Sequence, residues 1–283
     1  MNDSDSKILN EEIDLRKKFE KEIELRKIKK YKKAELFFNE LKFNKYGVPL
    51  LTQDKIESLA EVFLNIYSAN VFSKPQDTPL IKIMNELENH GKLNFDSKSR
   101  LESKGNERIL GKTIFSKKLV LIDKSLRPNE PQFNFVLGHE LGHLFLHTRK
   151  KIIDDHKEFI NFSEDGVRNF LLYPHKTFSV RNQIEWQANA FSAAILMPRK
   201  SFSRGLINIQ TKMGVHRNIG IIYLDNSIHN KSVFYKTIED LSQLFNTSRS
   251  ATKYRLLNLN LVVDVTKQKN CFKSFSEVFN QIK

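Results

Sequence analysis

The chain has 283 residues, of which 40% are hydrophobic and 28% are charged, and its formal net charge is +14. This composition is typical of a globular protein of one or two domains, and no apolar stretch reaches the ~18 residues of a membrane-spanning helix. The first residues are polar and lack the apolar core of a secretory signal. Cys271 is the single cysteine, which excludes an intramolecular disulfide and favours a cytoplasmic setting.

The positive charge is concentrated towards the C-terminus. Residues 201–283 contain 12 basic and 5 acidic residues, a net charge of +7, whereas residues 1–46 carry +3 and residues 47–200 carry +4. A basic region of this kind can attract DNA or an acidic partner. A solvated, lysine-rich surface is the alternative explanation. We expect residues 1–46 to form an N-terminal extension, residues 47–200 the core, and residues 201–283 a basic C-terminal region.

The sequence of the N-terminal extension predicts a long charged helix over residues 8–43. Gly47 and Pro49 then break the helical pattern and separate this helix from the rest of the chain. Its apolar residues drift around the helix and hold no strict heptad. We therefore expect this extension to protrude or dock loosely and to recognise a partner or substrate. In the alternative, four large apolar residues pack on the core: Leu36, Phe37, Phe38 and Leu41.

The predicted core has two helices, then two strands, then two more helices. Apolar periodicity and turn residues indicate each element, and Thr52 is the expected N-cap of the first helix. In chain order, the predicted elements are helices over 52–67 and 80–89, strands over 109–115 and 118–123, and helices over 131–147 and 182–196. The strands are expected to form a hairpin or small meander. The polar residues 148–180 are expected to form an irregular excursion.

The C-terminal region predicts a strand over 220–226 and two helices, over 233–245 and 248–257. The two helices resemble a helix-turn-helix, and the second has a basic face formed by Arg249, Lys253 and Arg255. One interpretation is DNA contact through this region. The other is that the two helices pack as part of the fold.

A short motif, His139-Glu140-Leu141-Gly142-His143, lies within a strongly apolar predicted helix. On an α-helix the two histidines are one turn apart on the same face, so both imidazoles can bind one metal ion. A zinc ion with three protein ligands keeps a fourth position for water and lowers the pKa of that water towards ~7. Glu140 is then placed to take a proton as the water attacks a carbonyl group. The motif therefore indicates a metallopeptidase; the alternative is a set of hydrogen-bonded polar residues on a helix edge.

Two histidines do not complete a catalytic zinc site, so a third ligand is required. The HExxHxxGxxH class is excluded, because Leu146 and Arg149 occupy its glycine and third-histidine positions. His147 continues the four-residue spacing, but ligands at i, i+4 and i+8 span ~12 Å along a helix, too far for one ion. We therefore expect His147 to lie at the helix end or to hydrogen-bond a ligand.

The third ligand is then expected to be a carboxylate from outside the motif. Glu158 and Glu164 lie in the irregular segment, whereas Glu185 lies in the downstream helix. We choose Glu185, because several alanines in its helix permit close packing on the metal helix. Asn189, one turn later, is placed to hydrogen-bond a ligand. The alternative for Glu185 is an exposed acid at the favourable end of the helix dipole.

Two blocks of this sequence resemble the ImmA/IrrE family of metallopeptidases. The first runs from Phe135 to His147 and contains the HExxH motif. The second has a Glu-x-x-Ala-Asn core, from Glu185 to Asn189, and continues to Leu196-Met197-Pro198. The resemblance covers roughly residues 52–262; it includes neither the N-terminal extension, residues 1–46, nor the stretch after about residue 263.

The resemblance implies an α+β fold, in which a mainly helical zincin-like core carries a small β-sheet, with the charged helix before it and the helix-turn-helix-like pair after it. By the match, His139, His143 and Glu185 are the ligands of one zinc ion per chain, and Glu140 is the general base. Another divalent metal is the alternative to zinc.

Members of this family cleave or otherwise inactivate helix-turn-helix repressors. The expected function is therefore that of an intracellular endopeptidase acting on a specific protein, with such a repressor as the expected substrate and no membrane partner. The alternatives are a toxin or phage-defence effector protease, and a DNA- or repressor-binding regulator with a non-catalytic metal site. Tyr173, His175 and Tyr223 are the candidates for stabilising the oxyanion.

Overall fold

The computed structural model describes residues 17, 18, 21, 41–102, 108–147, 159–163 and 179–266. Residues 17, 18 and 21 are helical, and the remainder of the charged segment before residue 41 lies outside these ranges. The long N-terminal helix, the packing of Leu36, Phe37 and Phe38, and the domain boundaries therefore stay predictions.

The described core begins with a tight turn instead of a helix. Phe43 pairs with Pro49 in an isolated antiparallel bridge, and the side-chain oxygen of Asn44 accepts two backbone N–H groups within the turn. The prediction that helix 8–43 extends to its last residues is therefore wrong, because this bridge holds the chain extended. Leu41 is buried in the main hydrophobic core, as the alternative for that residue expected.

Seven α-helices occur in the described residues. They are α1 (Gln53–Tyr67), α2 (Leu80–Asn89), α3 (Glu130–Leu146), α4 (Val180–Leu196), α5 (Arg199–Lys212), α6 (Ile228–Leu244) and α7 (Arg249–Asn258). All but α5 lie where the sequence predicted a helix, and Thr52 caps α1 by accepting the backbone N–H of Lys55. Helix α5 was missed because its apolar face is formed by few large residues among polar ones.

The strands form two small sheets. The first is mixed, with the order β1-β3-β2-β4, and comprises β1 (Asn94–Asp96), β2 (Ile109–Ile114), β3 (Leu119–Ile122) and β4 (Phe159–Ser163). Strands β2 and β3 form the predicted antiparallel hairpin. In the second sheet, β5 (Ile222–Leu224) runs parallel to β6 (Val262–Asp264).

Strand β4 corrects the expectation that residues 148–180 are irregular throughout. It pairs antiparallel with β2, while β1 pairs in parallel with β3 on the other side of the hairpin. The residues of β4, Phe159-Ile160-Asn161-Phe162-Ser163, form a short apolar run within a polar stretch of the sequence, and hydrogen bonds to β2 pair its backbone groups. The hairpin therefore becomes the centre of a four-stranded sheet.

Helices α3 and α4 pack so closely that glycine is required between them. A Cβ atom at Gly142 would lie 3.0 Å from the Cα of Ala188. Behind this contact, the ring of Phe63 on α1 meets Phe145 and Phe191 at centroid distances of 5.2 and 5.8 Å. The close approach brings the ligand candidates of the two helices together.

These elements give the α+β, mainly helical zincin-like fold that the sequence predicted. Within the described ranges, every helix is too short or too polar to span a bilayer.

Candidate metal centre

His139 and His143 project from one face of α3 and meet Glu185 from α4. The Nε2 atoms of the two histidines are 2.8 Å apart, and Oε2 of Glu185 lies 3.3 Å from His139 Nε2 and 3.8 Å from His143 Nε2. Ligand atoms held tetrahedrally at about 2.0–2.1 Å from zinc lie about 3.3 Å apart, within the range of these distances. The structure thus brings the three predicted ligands to one point.

The hydrogen bonds of this cluster fit a bound cation. Nδ1 of His139 lies 2.8 Å from Oδ1 of Asn189 and donates to it, which leaves a lone pair on Nε2 facing Glu185. Burial opposes ionisation of the Glu185 carboxyl, but protonated His139 and His143 would donate to it, and their effect outweighs burial and lowers its pKa. A bound cation would take the place of those protons. The second carboxylate oxygen, Oε1, is buried and has no hydrogen-bond partner among the described residues. Two imidazole nitrogens and a carboxylate oxygen that converge in this way match the ligand set of a catalytic zinc site.

Glu140 lies fully buried beside the cluster, and strand β2 positions it. The hydroxyl of Thr113 donates to Oε2 of Glu140 at 2.5 Å. Gly111 leaves room for the other oxygen, since a Cβ there would lie 2.5 Å from Oε1. Oε1 itself has no hydrogen-bond partner within the described part of the chain. Burial raises the pKa of Glu140 to about 8, although the charge of His139 and the Thr113 hydrogen bond oppose this shift.

His147 lies at the end of α3 and extends the polar network away from the ligands. Its Nδ1 is 3.0 Å from Nδ1 of His143, and its Nε2 is 2.9 Å from Oε1 of Gln187. Nε2 of Gln187 donates in turn to the carbonyl of Pro49 at 2.7 Å. Burial lowers the pKa of His147 to about 3, so its imidazole is neutral.

Two residues of this network were absent from the sequence analysis. Gln187 and Thr113 contact site residues that are 40 and 27 positions away in the chain. A pattern of local periodicity carries no information about such pairs. In contrast, the expected contacts of Asn189 with His139 and of His147 with His143 are both present.

The remaining site candidates are not part of this cluster. Tyr223 lies on β5 and is 45% exposed, in the two-stranded sheet that packs against α6. Tyr173 and His175, and the alternative ligands Glu158 and Glu164, lie outside the described residues. The oxyanion assignment therefore stays a prediction.

The helix-turn-helix-like pair, α6 and α7, packs as part of the fold: α6 packs against α5, and α7 contacts α1 and the residue that follows α4. Arg255 is buried and donates to both carboxylate oxygens of Glu57 on α1, at 2.5 and 2.8 Å, and to the carbonyl of Met197 at 2.9 Å. The prediction that Arg255 belongs to an exposed basic face is therefore wrong, because it is half of a buried ion pair. Arg249 forms an ion pair with α6, and Lys253 is exposed.

Comparison with known families agrees with this geometry. The Peptidase_M78 family model, described as the IrrE N-terminal-like domain, matches residues 94–257, which is more than half of the chain. This range includes α3, α4 and the residues of the His–His–Glu cluster. A search of curated proteins finds no match. The chain therefore belongs to the peptidase family of IrrE N-terminal-like domains.

Proposed function

We propose that this protein is a zinc-dependent endopeptidase that cleaves a specific protein inside the cell. The observation that carries the proposal is the convergence of His139 Nε2, His143 Nε2 and Glu185 Oε2 beside the buried carboxyl of Glu140. Such a ligand set, with one position left for a water, is typical of hydrolytic zinc sites, and membership of a peptidase family supports the same chemistry. The mixed nitrogen and oxygen ligands favour zinc. The affinity of the site for other divalent metals can be measured and compared with its affinity for zinc.

The chain's own residues divide the work of hydrolysis between them. A metal held by the three ligands supplies the Lewis acidity that lowers the pKa of an attacking water towards ~7. Glu140 would accept a proton from that water and return it to the nitrogen of the leaving amine. Thr113 holds Oε2 of Glu140 by its hydrogen bond and so fixes the orientation of the carboxyl group. Burial raises the pKa of the Glu140 carboxyl, which makes its carboxylate a stronger proton acceptor.

A helix-turn-helix repressor is the proposed substrate, since the family resemblance points to this class. A toxin or phage-defence effector is the second candidate, and the charged N-terminal extension, residues 1–46, which lies outside the matched range 94–257, is the feature that favours it. A DNA-binding regulator with a non-catalytic metal site has less support. Glu140 is intact, and Arg255, one of three basic residues expected to contact DNA, is buried in an ion pair.

Three proteins test the proposal: wild type, Glu140→Gln and the matched control Glu130→Gln. Glu130 is an exposed residue in the first turn of the same helix, so its substitution should change nothing. We expect all three to bind about one zinc per chain by elemental analysis. In cells that produce each protein, new N-termini should appear with wild type and Glu130→Gln and disappear with Glu140→Gln.

The identity of the cleaved proteins separates the two substrate classes. Cleavage of a repressor encoded next to this gene supports the first candidate, and cleavage of essential host or viral proteins supports the second. Identical N-termini in the wild-type and Glu140→Gln cells would refute the peptidase mechanism. Full metal retention by Glu185→Ala would refute the ligand assignment.

A further inference from the structure

We propose that Gln187 and His147 are positioning residues that fix the tautomer of the metal ligand His143, and that the backbone carbonyl of Pro49 sets the direction of the whole chain of hydrogen bonds. This inference rests on the proposed metal site and adds to it a device for presenting the ligand. It concerns four groups in a row: Pro49 O, the Gln187 amide, the His147 ring and the His143 ring.

Pro49 fixes which groups donate and which accept along the chain of hydrogen bonds, because its backbone carbonyl can only accept a hydrogen bond. The group of Gln187 that faces it, at 2.7 Å, must therefore be the NH₂ group. The amide oxygen then faces His147, at 2.9 Å from Nε2. An amide oxygen also only accepts, so Nε2 of His147 must carry the proton and donate it.

The His147 ring passes the same donor-to-acceptor order on to the metal ligand His143. In a neutral imidazole with a proton on Nε2, Nδ1 is an acceptor. His147 Nδ1 lies 3.0 Å from Nδ1 of His143, which must therefore donate. With its proton on Nδ1, His143 presents a lone pair on Nε2, where His139 Nε2 and Glu185 Oε2 also converge. This is the tautomer that metal binding requires.

The reversed chain is incompatible with metal binding. If the Gln187 amide were flipped, its NH₂ group would donate to His147 Nε2, and His147 Nδ1–H would donate to His143. The proton of His143 would then lie on Nε2, at the position of the metal. The flip is prevented because it would turn the amide oxygen of Gln187 towards the oxygen of Pro49.

Burial of these side chains strengthens the preference for one tautomer of His143. Gln187, His147 and His143 are all 0% exposed, so bulk water does not compete for their hydrogen bonds. Pro49 is itself held in place by the bridge to Phe43 at the start of the described core. A backbone group 138 residues away from Gln187 thus determines which nitrogen of a ligand is free.

The test compares wild type, Gln187→Leu and Gln210→Leu. Gln210 is the matched control, a buried glutamine whose amide also bridges two backbone groups, Gly220 N–H and Ile221 C=O. Nitrogen-15 NMR of the imidazoles reports the tautomers in the metal-free proteins, and competition with a chromophoric chelator reports zinc affinity. Neither readout depends on proteolysis.

In wild type and Gln210→Leu we expect His147 with its proton on Nε2 and His143 with its proton on Nδ1. In Gln187→Leu both rings should become mixtures of tautomers, and zinc should bind about 10–100-fold more weakly. Unchanged tautomers and affinity in Gln187→Leu would overturn the proposal. If that variant did not fold, the wild-type spectrum would still decide, because a proton on Nδ1 of His147 refutes the direction argued here. Failure of wild type to bind zinc would instead refute the proposed function.

Discussion

Gly142→Ala is the substitution that most directly tests how the two ligand-bearing helices are held together. A Cβ at this position would lie 3.0 Å from Cα and 3.1 Å from the carbonyl oxygen of Ala188. Ordinary van der Waals contact begins at 3.4 Å, so α4 has to move away from α3 by about 0.4 Å. The obstacle is backbone, which cannot rotate aside as a side chain can.

The displacement matters more for the metal than for the fold. Overpacking costs about 1–3 kcal/mol, but alanine gains about 1 kcal/mol over glycine in a helix interior, so the net loss of stability is about 0–2 kcal/mol. A shift of about 0.4 Å is twice the ±0.2 Å within which metal–ligand distances are usually held. Since Glu185 lies on α4 and both histidines lie on α3, the three ligand atoms separate. We expect zinc affinity to fall at least tenfold, or about 1.4 kcal/mol.

Gly205→Ala is the matched control, because its Cβ would meet the ends of the Phe245 and Leu244 side chains at 3.1 and 3.2 Å, on helices that carry no ligand. Zinc affinity is measured by chelator competition and stability by thermal unfolding of the metal-free proteins. The control should keep wild-type affinity. Wild-type affinity in Gly142→Ala as well would refute the argument that close packing of α3 on α4 sets the ligand geometry.

Two further substitutions probe contacts outside the ligand set. Thr113→Val removes the hydrogen bond to Oε2 of Glu140, so substrate turnover should fall about 10–100-fold at unchanged zinc content. Thr113→Ser keeps a hydroxyl group and should turn over substrate at close to the wild-type rate. Equal turnover by the two variants would contradict the positioning role of Thr113. Glu57→Gln leaves the buried charge of Arg255 unpaired and should cost about 3–5 kcal/mol of unfolding free energy in chemical denaturation. Burial opposes ionisation of Glu57, but Arg255 lowers its pKa overall, so the pair stabilises the fold above the ordinary glutamate pKa. That contribution is lost as the pH falls through the lowered pKa, and the wild-type and Glu57→Gln stabilities should converge there.

The sequence was most informative where local periodicity determines the structure. Helix α3 follows from an apolar run with Asn129 as N-cap, and its 3.6-residue repeat alone places His139 and His143 on one face. The choice of Glu185 over Glu158 and Glu164 needed more than periodicity: it rested on the alanines of its helix, which permit close packing on the metal helix, and the family motif then supported it. The cluster formed by these residues in the structure agrees with that choice.

The sequence was least informative where the structure of a segment depends on its contacts with a distant segment. Strand β4 pairs with β2, and its short apolar run, Phe159-Ile160-Asn161-Phe162, was overlooked within the polar segment around it. Arg255 read as an exposed basic residue on a helix, and only the position of Glu57 on α1 makes it a buried partner. Gln187 was not predicted as a site residue, although it lies within the recognised family motif, because its role depends on the backbone carbonyl of Pro49 in another part of the chain. Pairings of this kind are tertiary, and single-residue propensity does not encode them.

The same long-range contacts show that the functional unit extends further upstream than the family-matched range. Residues 94–257 contain the ligands and Glu140 but exclude Pro49 and Glu57. Without Pro49 the Gln187 amide has no partner to fix its orientation, and without Glu57 the buried guanidinium of Arg255 has no counter-charge. Removing one partner of a buried ion pair is far more costly than losing a surface contact. The segment from the first core residues through α1 therefore belongs physically to the same fold as the metal centre, although the match to the family begins only after it.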